Sequence, residues 1–396
     1  MFKLFQSNQM PLLVEAYTQR RTSIETAPFN PEIVLVQNHG MGQWLKLELA
    51  QHQGIAANIS AELPGTYITG LYHQFLRTPV EKESAYSRNI LTWHIMDVLN
   101  STGTANKTSN PFLPLINYLD GEGDRDLRLY QLSHQLAGLY EQYLIYRPAW
   151  IHAWDKGAPG PLICQQHPWQ ALLWQEIIRR TDERHRANLH LELLGIIDSI
   201  NPTELPARVS LFGFSSLPPM HFDTFRALAE KVEVDIYFLN PCQHYWGDIV
   251  SSKDIARRSV RDLIEQTSDA ALADEDYMDI GNPLLSSMGK QGREYFELLL
   301  SEESLDDATH FAPSAPNTIL SLLKNDVLNL EFGGSFGAGA QPEKLPHAAN
   351  DTSIRIHSCH SKSREVEVLL DQIYQRCSDD PELVPNEIIV MMPDVN

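Results

Sequence analysis

The apolar positions of this chain recur with two periods that alternate in blocks. Phe2-Lys3-Leu4-Phe5-Gln6 reads as a strand, and residues 12–21 carry helical spacing. Glu32-Ile33-Val34-Leu35-Val36 is a short apolar run between Pro31 and a polar turn, the pattern of a strand covered on both faces. Residues 41–51 follow as an amphipathic helix with Met41, Trp44, Leu45 and Leu49 near helical spacing, and residues 55–59 read as a third strand. From about residue 76 to residue 200 the period is helical, over 90–99, 127–146, 169–180 and 188–199; Pro148 stops the second of these. Strand and helix then alternate again through 209–212, 220–231 and 234–239. Strands alternating with helices predict a parallel sheet. The simplest architecture is α/β: a sheet domain begun over 1–75, interrupted by a helical block over 76–204, and continued with a helical extension over 205–330.

A linker rich in Gly, Ala and Pro follows over 331–351. Residues 352–396 then read as strand (353–358), helix (364–376) and strand (387–392), the start of a second α/β domain. That stretch is too short to finish a sheet, so the chain reads as a fragment of a longer protein. No internal repeat is visible.

Composition narrows the class. Of 396 residues, 43% are hydrophobic and 21% charged, ordinary for a globular protein. No apolar run reaches the roughly 18 residues of a membrane helix, and the N-terminus lacks the apolar core of a secretory leader. Cys164, Cys242, Cys359 and Cys377 are far apart without C-x-x-C spacing, which argues against a zinc site or a disulfide framework and for a reducing cytoplasm. His357, Cys359 and His360 crowd one strand end, but no second ligand pair accompanies them. The net charge of −20 is awkward for a nucleic-acid reader. It is gathered in acidic stretches at 120–126, 269–279, 302–307 and 379–382, read as solvated loops and helix faces. The arginines cluster elsewhere, at 179–180, 184–186 and 257–261, so any DNA must lie in a locally basic groove.

Two strand-to-turn units are shaped for ATP but lack the residues to use it. A phosphate loop after the first strand would carry glycines and a Lys; Ser7-Asn8-Gln9-Met10-Pro11 has neither. The strand at 209–212 would end in an acid to hold Mg²⁺; it ends in Gly213-Phe214-Ser215-Ser216. Gly289-Lys290-Gln291-Gly292-Arg293 follows no apolar strand and is no substitute. The turn Gln37-Asn38-His39-Gly40-Met41-Gly42-Gln43-Trp44 resembles the strand-to-helix turn that contacts single-stranded DNA in superfamily 1 helicases. Helix N-terminal amides favour phosphate, and the side-chain amides can read base edges. Trp44 is either a stacking platform or core. Leu139, Gln142, Tyr143, Tyr146 and Arg147 recur at helical spacing, a face that can stack bases and pair phosphates, or a buried aromatic stripe with Arg147 at the helix end. Arg186 is a phosphate clamp or a surface charge before a helix.

The 37–44 turn, Glu141-Gln-Tyr-Leu-Ile-Tyr-Arg-Pro148, His185-Arg-Ala-Asn-Leu189, Asn240-Pro-Cys242 with Tyr245-Trp-Gly-Asp248, Gly281-Asn-Pro-Leu-Leu285 and Cys359-His-Ser361, in this order, resemble the RecC family, the gamma chains of exodeoxyribonuclease V (RecBCD). The resemblance covers the N-terminal part of that family. It implies a superfamily 1 helicase-like fold, with a helical subdomain inserted, that has no catalysis of its own. It implies a subunit that scaffolds the RecB and RecD motors in DNA repair by recombination, helps split duplex ends and reads the 3′-ended single strand for Chi. ATP and Mg²⁺ would be used by those partners, with no cofactor in this chain. By position, the strand-contacting residues would be Gln37, His39, Gln43, Leu63, Thr69, Leu139, Glu141, Gln142, Arg147 and Arg186. His39, Thr69 and Gly138 depart from the family residues, which puts the recognised sequence in doubt but not strand binding. An active helicase with an unusual phosphate loop and a scaffold that never touches DNA remain the alternatives.

Overall fold

The computed structural model describes residues 2–22, 30–77, 84–102, 110–181, 184–249, 281–301, 306–331 and 350–392. Arg257 to Arg261 and the acidic stretch at 269–279 lie outside the described residues. The chain forms two compact units, one of residues 1–312 and 327–332, the other of 313–326 and 333–396.

The first unit is built on six parallel strands: β1 (Phe2–Ser7), β2 (Glu32–Val36), β3 (Ile59–Glu62), β4 (Arg208–Phe212), β5 (Glu233–Leu239) and β6 (Asp306–Thr309). Their order is β3-β2-β4-β5-β1-β6. β3 starts where the expected strand at 55–59 ends. Gly54 and Asn58 both take positive φ (79° and 58°), which breaks the extended path, and the Asn58 carbonyl accepts the Glu32 N–H at 2.9 Å. β6 falls in the acidic stretch read as a loop. Its pairing with β1, with Lys3 opposite Asp306, overrides the weak strand preference of aspartate.

Helices cover both faces of the sheet. α1 (Met10–Thr22) and α2 (His39–Gln53) bury Leu13, Tyr17, Leu45 and Leu49 against Val34, Val36 and Phe212. On the other face α3 (Pro64–Leu76), α10 (Arg186–Ile196) and α11 (Pro219–Ala229) pack Tyr67, Leu71, Leu193 and Phe225 on Leu35, Val209 and Ile236. Between β3 and β4 the chain also makes α4 (Arg88–Thr102), α5 (Leu113–Leu119), α6 (Arg125–Tyr146), α7 (Pro148–Asp155), α8 (Leu162–Gln165) and α9 (Trp169–Arg180). These share a separate core around Ile95, Tyr140, Trp154, Trp174 and Ile177. Pro148 does more than end α6: its missing N–H and fixed φ suit the first position of α7. α12 (Pro283–Met288) and α13 (Lys290–Leu300) complete the unit, with Phe296 stacked on Trp246 at 5.6 Å.

Two arginines stitch the N-terminal ends of the strands to α1. Arg208 Nη2 lies 2.6 Å from Glu32 Oε1, Arg20 Nε lies 3.1 Å from Asp235 Oδ2, and Arg208 Nη1 donates to the Arg20 carbonyl at 3.0 Å.

In the second unit α15 (Lys362–Asp379) starts at Ser361, whose hydroxyl accepts the Arg364 N–H at 3.2 Å. Ahead of it α14 (Ile319–Leu328) begins in this unit. Residues 353–358 and 387–392, expected as strands, enter no ladder among the described residues. A strand needs a neighbour to take its backbone bonds, and no described segment of this unit pairs with them.

Candidate nucleic-acid interface

Parallel strands bring the turns that leave them to one edge of the sheet, the usual place for ligands in such folds. The turn after β1 is closed by the chain itself. Ser7 Oγ donates to the His310 carbonyl at 2.7 Å. Asn8 donates to the Ala312 carbonyl at 2.8 Å and accepts the Ala312 N–H at 3.0 Å, and Gln9 Nε2 donates to the same carbonyl at 3.0 Å. Residues 310–312 thus fill the bend where a phosphate loop would curl round its ligand.

After β2, Asn38 Oδ1 accepts the Met41 N–H at 2.9 Å and caps α2. Gln37, His39 and Gln43 are exposed around that cap. Gly42 is buried: a Cβ there would stand 2.8 Å from the Ala61 Cβ on β3, so glycine lets α2 close on the sheet. Trp44 is half-buried and packs on the core, its ring centroid 6.5 Å from that of Phe212.

Gln37 Nε2 reaches Ser215 Oγ at 3.4 Å, tying the β2 turn to the segment that leads into α11. His221 of α11 is buried. A methyl group on Gly65 would lie 3.9 Å from His221 Cε1, so His221 stands against the first turn of α3, which follows Leu63. Thr69, one turn further, is half-buried and returns its hydroxyl to the Gly65 carbonyl at 2.7 Å. Burial, then the charge of Arg186, then His190 hold the His221 imidazole down to about 4 from 6.5. Burial raises the Tyr72 phenol of α3, and Arg186 pulls against that rise. Arg186, half-buried at the first position of α10, therefore stands close to both α3 and α11.

The neighbouring arginines are neutralised. Arg179 pairs with Glu176, Arg180 with Asp97 and Arg184 with Glu192. Among the described residues no carboxylate lies within ion-pair distance of Arg186. The positive end of the α10 dipole adds to its field instead of offsetting it. The result is a half-buried positive spot beside a histidine that stays neutral.

α6 packs against α10 and α11, but its nominated residues divide. Leu139 rests half-buried on the helical core, and Glu141 is half-buried. Gln142 and Arg147 are exposed. Arg147 ends α6, donates to the Tyr146 carbonyl at 3.0 Å and lies 5.7 Å from the Trp150 ring centroid. Tyr143, expected beside them, belongs to the core: its ring is 5.4 Å from Trp150 and its hydroxyl donates to Gln170 Oε1 at 3.2 Å. The face open to solvent is Gln142, Tyr146 and Arg147. At Gly138 a Cβ would meet Arg88 Nε at 3.2 Å.

His221 escaped the sequence reading because a single histidine on an apolar helix face has no spacing to mark it. The Gly289–Gly292 pair is a packing device. A Cβ on Gly289 would stand 2.4 Å from the Leu285 carbonyl and 3.1 Å from the Trp246 ring, and one on Gly292 would touch the same indole at 3.4 Å. Among the described residues no group of three His, Cys, Asp or Glu side chains could hold a metal ion, and no helix is long and apolar enough to cross a membrane.

The comparisons with known proteins agree with one another. Residues 2–330 match the family model described as RecC, N-terminal domain. The whole chain aligns with the RecBCD enzyme subunit RecC of Escherichia coli (strain K12) at 34% identity, covering 37% of that protein. It aligns with the protein of the same name from Haemophilus influenzae at 32% identity, covering 38% of it. A third relative of that name, from Mycolicibacterium smegmatis, is 29% identical over 93% of this chain and 31% of its own length. The chain thus spans about a third of the length of the relatives it matches, and it belongs to the RecC family.

Proposed function

We propose that this chain is the N-terminal part of a DNA-handling subunit of a RecBCD-type helicase–nuclease and does no nucleotide chemistry itself. In this reading it scaffolds the RecB and RecD motors, helps part the duplex end, and passes the 3′-ended single strand across the sheet edge to be read for Chi. The sheet is the first helicase-like domain, the α4–α9 core its inserted helical subdomain, and residues 352–396 the opening of a second. ATP and Mg²⁺ stay with the partner subunits.

The observation that carries the reading is Arg186. A half-buried guanidinium with no carboxylate partner among the described residues, set against a helix dipole of the same sign, suits an anionic ligand that comes and goes. Phosphodiester fits this, and Gln37, Gln43 and Gln142 offer exposed amides for base edges. The self-filled turn after β1 supports the absence of ATP use over the helicase alternative.

The test is a titration of the chain with a fluorescein-labelled single-stranded oligodeoxynucleotide at several salt concentrations. Arg186→Ala is expected to weaken binding about ten-fold and to reduce the salt slope by about 0.7, the value of one single-strand phosphate contact. Unchanged affinity and slope would favour the scaffold that never touches DNA. In the assembled complex, Gln43→Ala and Arg186→Ala should impair the response to Chi more than unwinding; equal losses would count against a reading role.

A further inference from the structure

Asp155 and His185 lie behind Arg186. His185, 2% exposed, is the N-cap of α10, and its Nδ1 accepts the Asn188 N–H at 3.3 Å. An accepting Nδ1 carries no proton, so in the neutral ring the proton is on Nε2. Nε2 lies 2.9 Å from Asp155 Oδ2 at the end of α7. The other oxygen, Asp155 Oδ1, accepts Trp174 Nε1–H of α9 at 2.9 Å. Burial alone would raise the Asp155 carboxyl, but the hydrogen bonds from His185 and Trp174 outweigh it and hold the group below the usual carboxylate range. The imidazole is clamped edge-on between Tyr86 and Trp174, each with its ring centroid 5.5 Å away. Two helices of the helical block, α7 and α9, with Tyr86 from the turn before α4, thereby fix one tautomer, and that tautomer starts α10 one residue before Arg186.

We propose that Asp155, acting through His185, is the positioning residue for Arg186: the carboxylate sets the imidazole tautomer that caps α10 and so holds the guanidinium beside α3 and α11. The proposal rests on Arg186 being a strand contact. A serine or asparagine cap would begin a helix equally well. What the Asp–His pair adds is an anchor from α7 and α9, so the helical block and the sheet-side helices present one arginine at a fixed place.

Asp155→Asn changes almost no volume but removes the second acceptor. Trp174 Nε1–H takes the amide oxygen, and the amide NH₂ then confronts His185 Nε2–H. The ring must release its cap, or Trp174 must lose its partner. Two measurements on the 396-residue chain test this. The imidazole ¹⁵N shifts of His185 should report the Nε2–H tautomer in the native chain and a changed ring in Asp155→Asn, with no DNA present. Affinity for labelled single-stranded oligodeoxythymidylate should fall about ten-fold in Asp155→Asn, as in Arg186→Ala, and no further in the double variant. Adding His185→Asn to Asp155→Asn restores a cap that needs no tautomer. It should recover most of the affinity even if the smaller side chain lowers the melting temperature, which a purely structural role would not allow. Additive losses in the double variant, or no recovery with His185→Asn, would overturn the positioning role. An Arg186→Ala variant that binds as the native chain does would overturn the strand contact and the positioning role with it, whereas a native Nδ1–H tautomer would overturn the Asp155–His185 device alone.

Discussion

A histidine buried beside an arginine resists its proton, and His221 gives that resistance a readable consequence. Its imidazole titrates near 4 in the folded chain against 6.5 when unfolded. Between those values the unfolded chain binds more protons, so stability falls as the pH drops from 6.5 towards 4 and changes little outside that window on this account. The loss is at most about 3 kcal/mol. His190 and His152, held down first by burial, add to the same limb. Urea unfolding at a series of pH values should show the limb, and His221→Gln should remove part of it without affecting stability at neutral pH to the same degree. At this scale the sequence was legible for exposed groups and silent for buried ones. Gln37, His39 and Gln43 stand where a turn after a strand puts them. His221, Asp155 and the Arg208–Glu32 pair are defined by partners far away along the chain, and nothing in their local spacing reveals those partners.

Elements were read more completely than residues, because periodicity reports which face is covered. β1, β2, β4 and β5, the long α6 and the sheet-covering helices α1, α2, α10 and α11 follow from it, whereas α3 was not read. It failed where pairing or backbone geometry decides: β3 is displaced by the positive φ of Gly54 and Asn58, and β6 is made by its neighbour. The close contact of α2 with β3 gives a test at this scale. Gly42→Ala puts a methyl 2.8 Å from the Ala61 Cβ, so α2 must shift outwards. The expected cost is about 1–3 kcal/mol, measured by thermal or urea unfolding, with a weakened strand affinity because Gln43 moves with the helix. The β1 turn gives another. Asn8→Ala deletes two hydrogen bonds to Ala312 and should cost about 1–3 kcal/mol, while titration with a fluorescent ATP analogue stays unsaturated.

For the whole molecule, a charge of −20 and the proposed DNA-handling role are reconciled locally: three of the four described arginines near the start of α10 are paired with acids, leaving Arg186 without a carboxylate among the described residues. The two cores of the first unit also differ in what they depend on. The helical core draws on residues from one continuous stretch, 85–187, whereas the sheet gathers strands from both ends of the unit. Removal of residues 2–7 should therefore abolish the cooperative melt of the sheet while much of the helical circular dichroism survives.

The strand order carries a cost at birth. Among the described residues β1 pairs only with β5 and β6, and β2 is separated from it by two strands, β4 and β5. As this stretch is synthesised, β1 finds no hydrogen-bonding neighbour until Glu233–Leu239 has been made. Through that wait Phe2 and Leu4 are greasy and uncovered, a natural target for chaperones and for wrong partners.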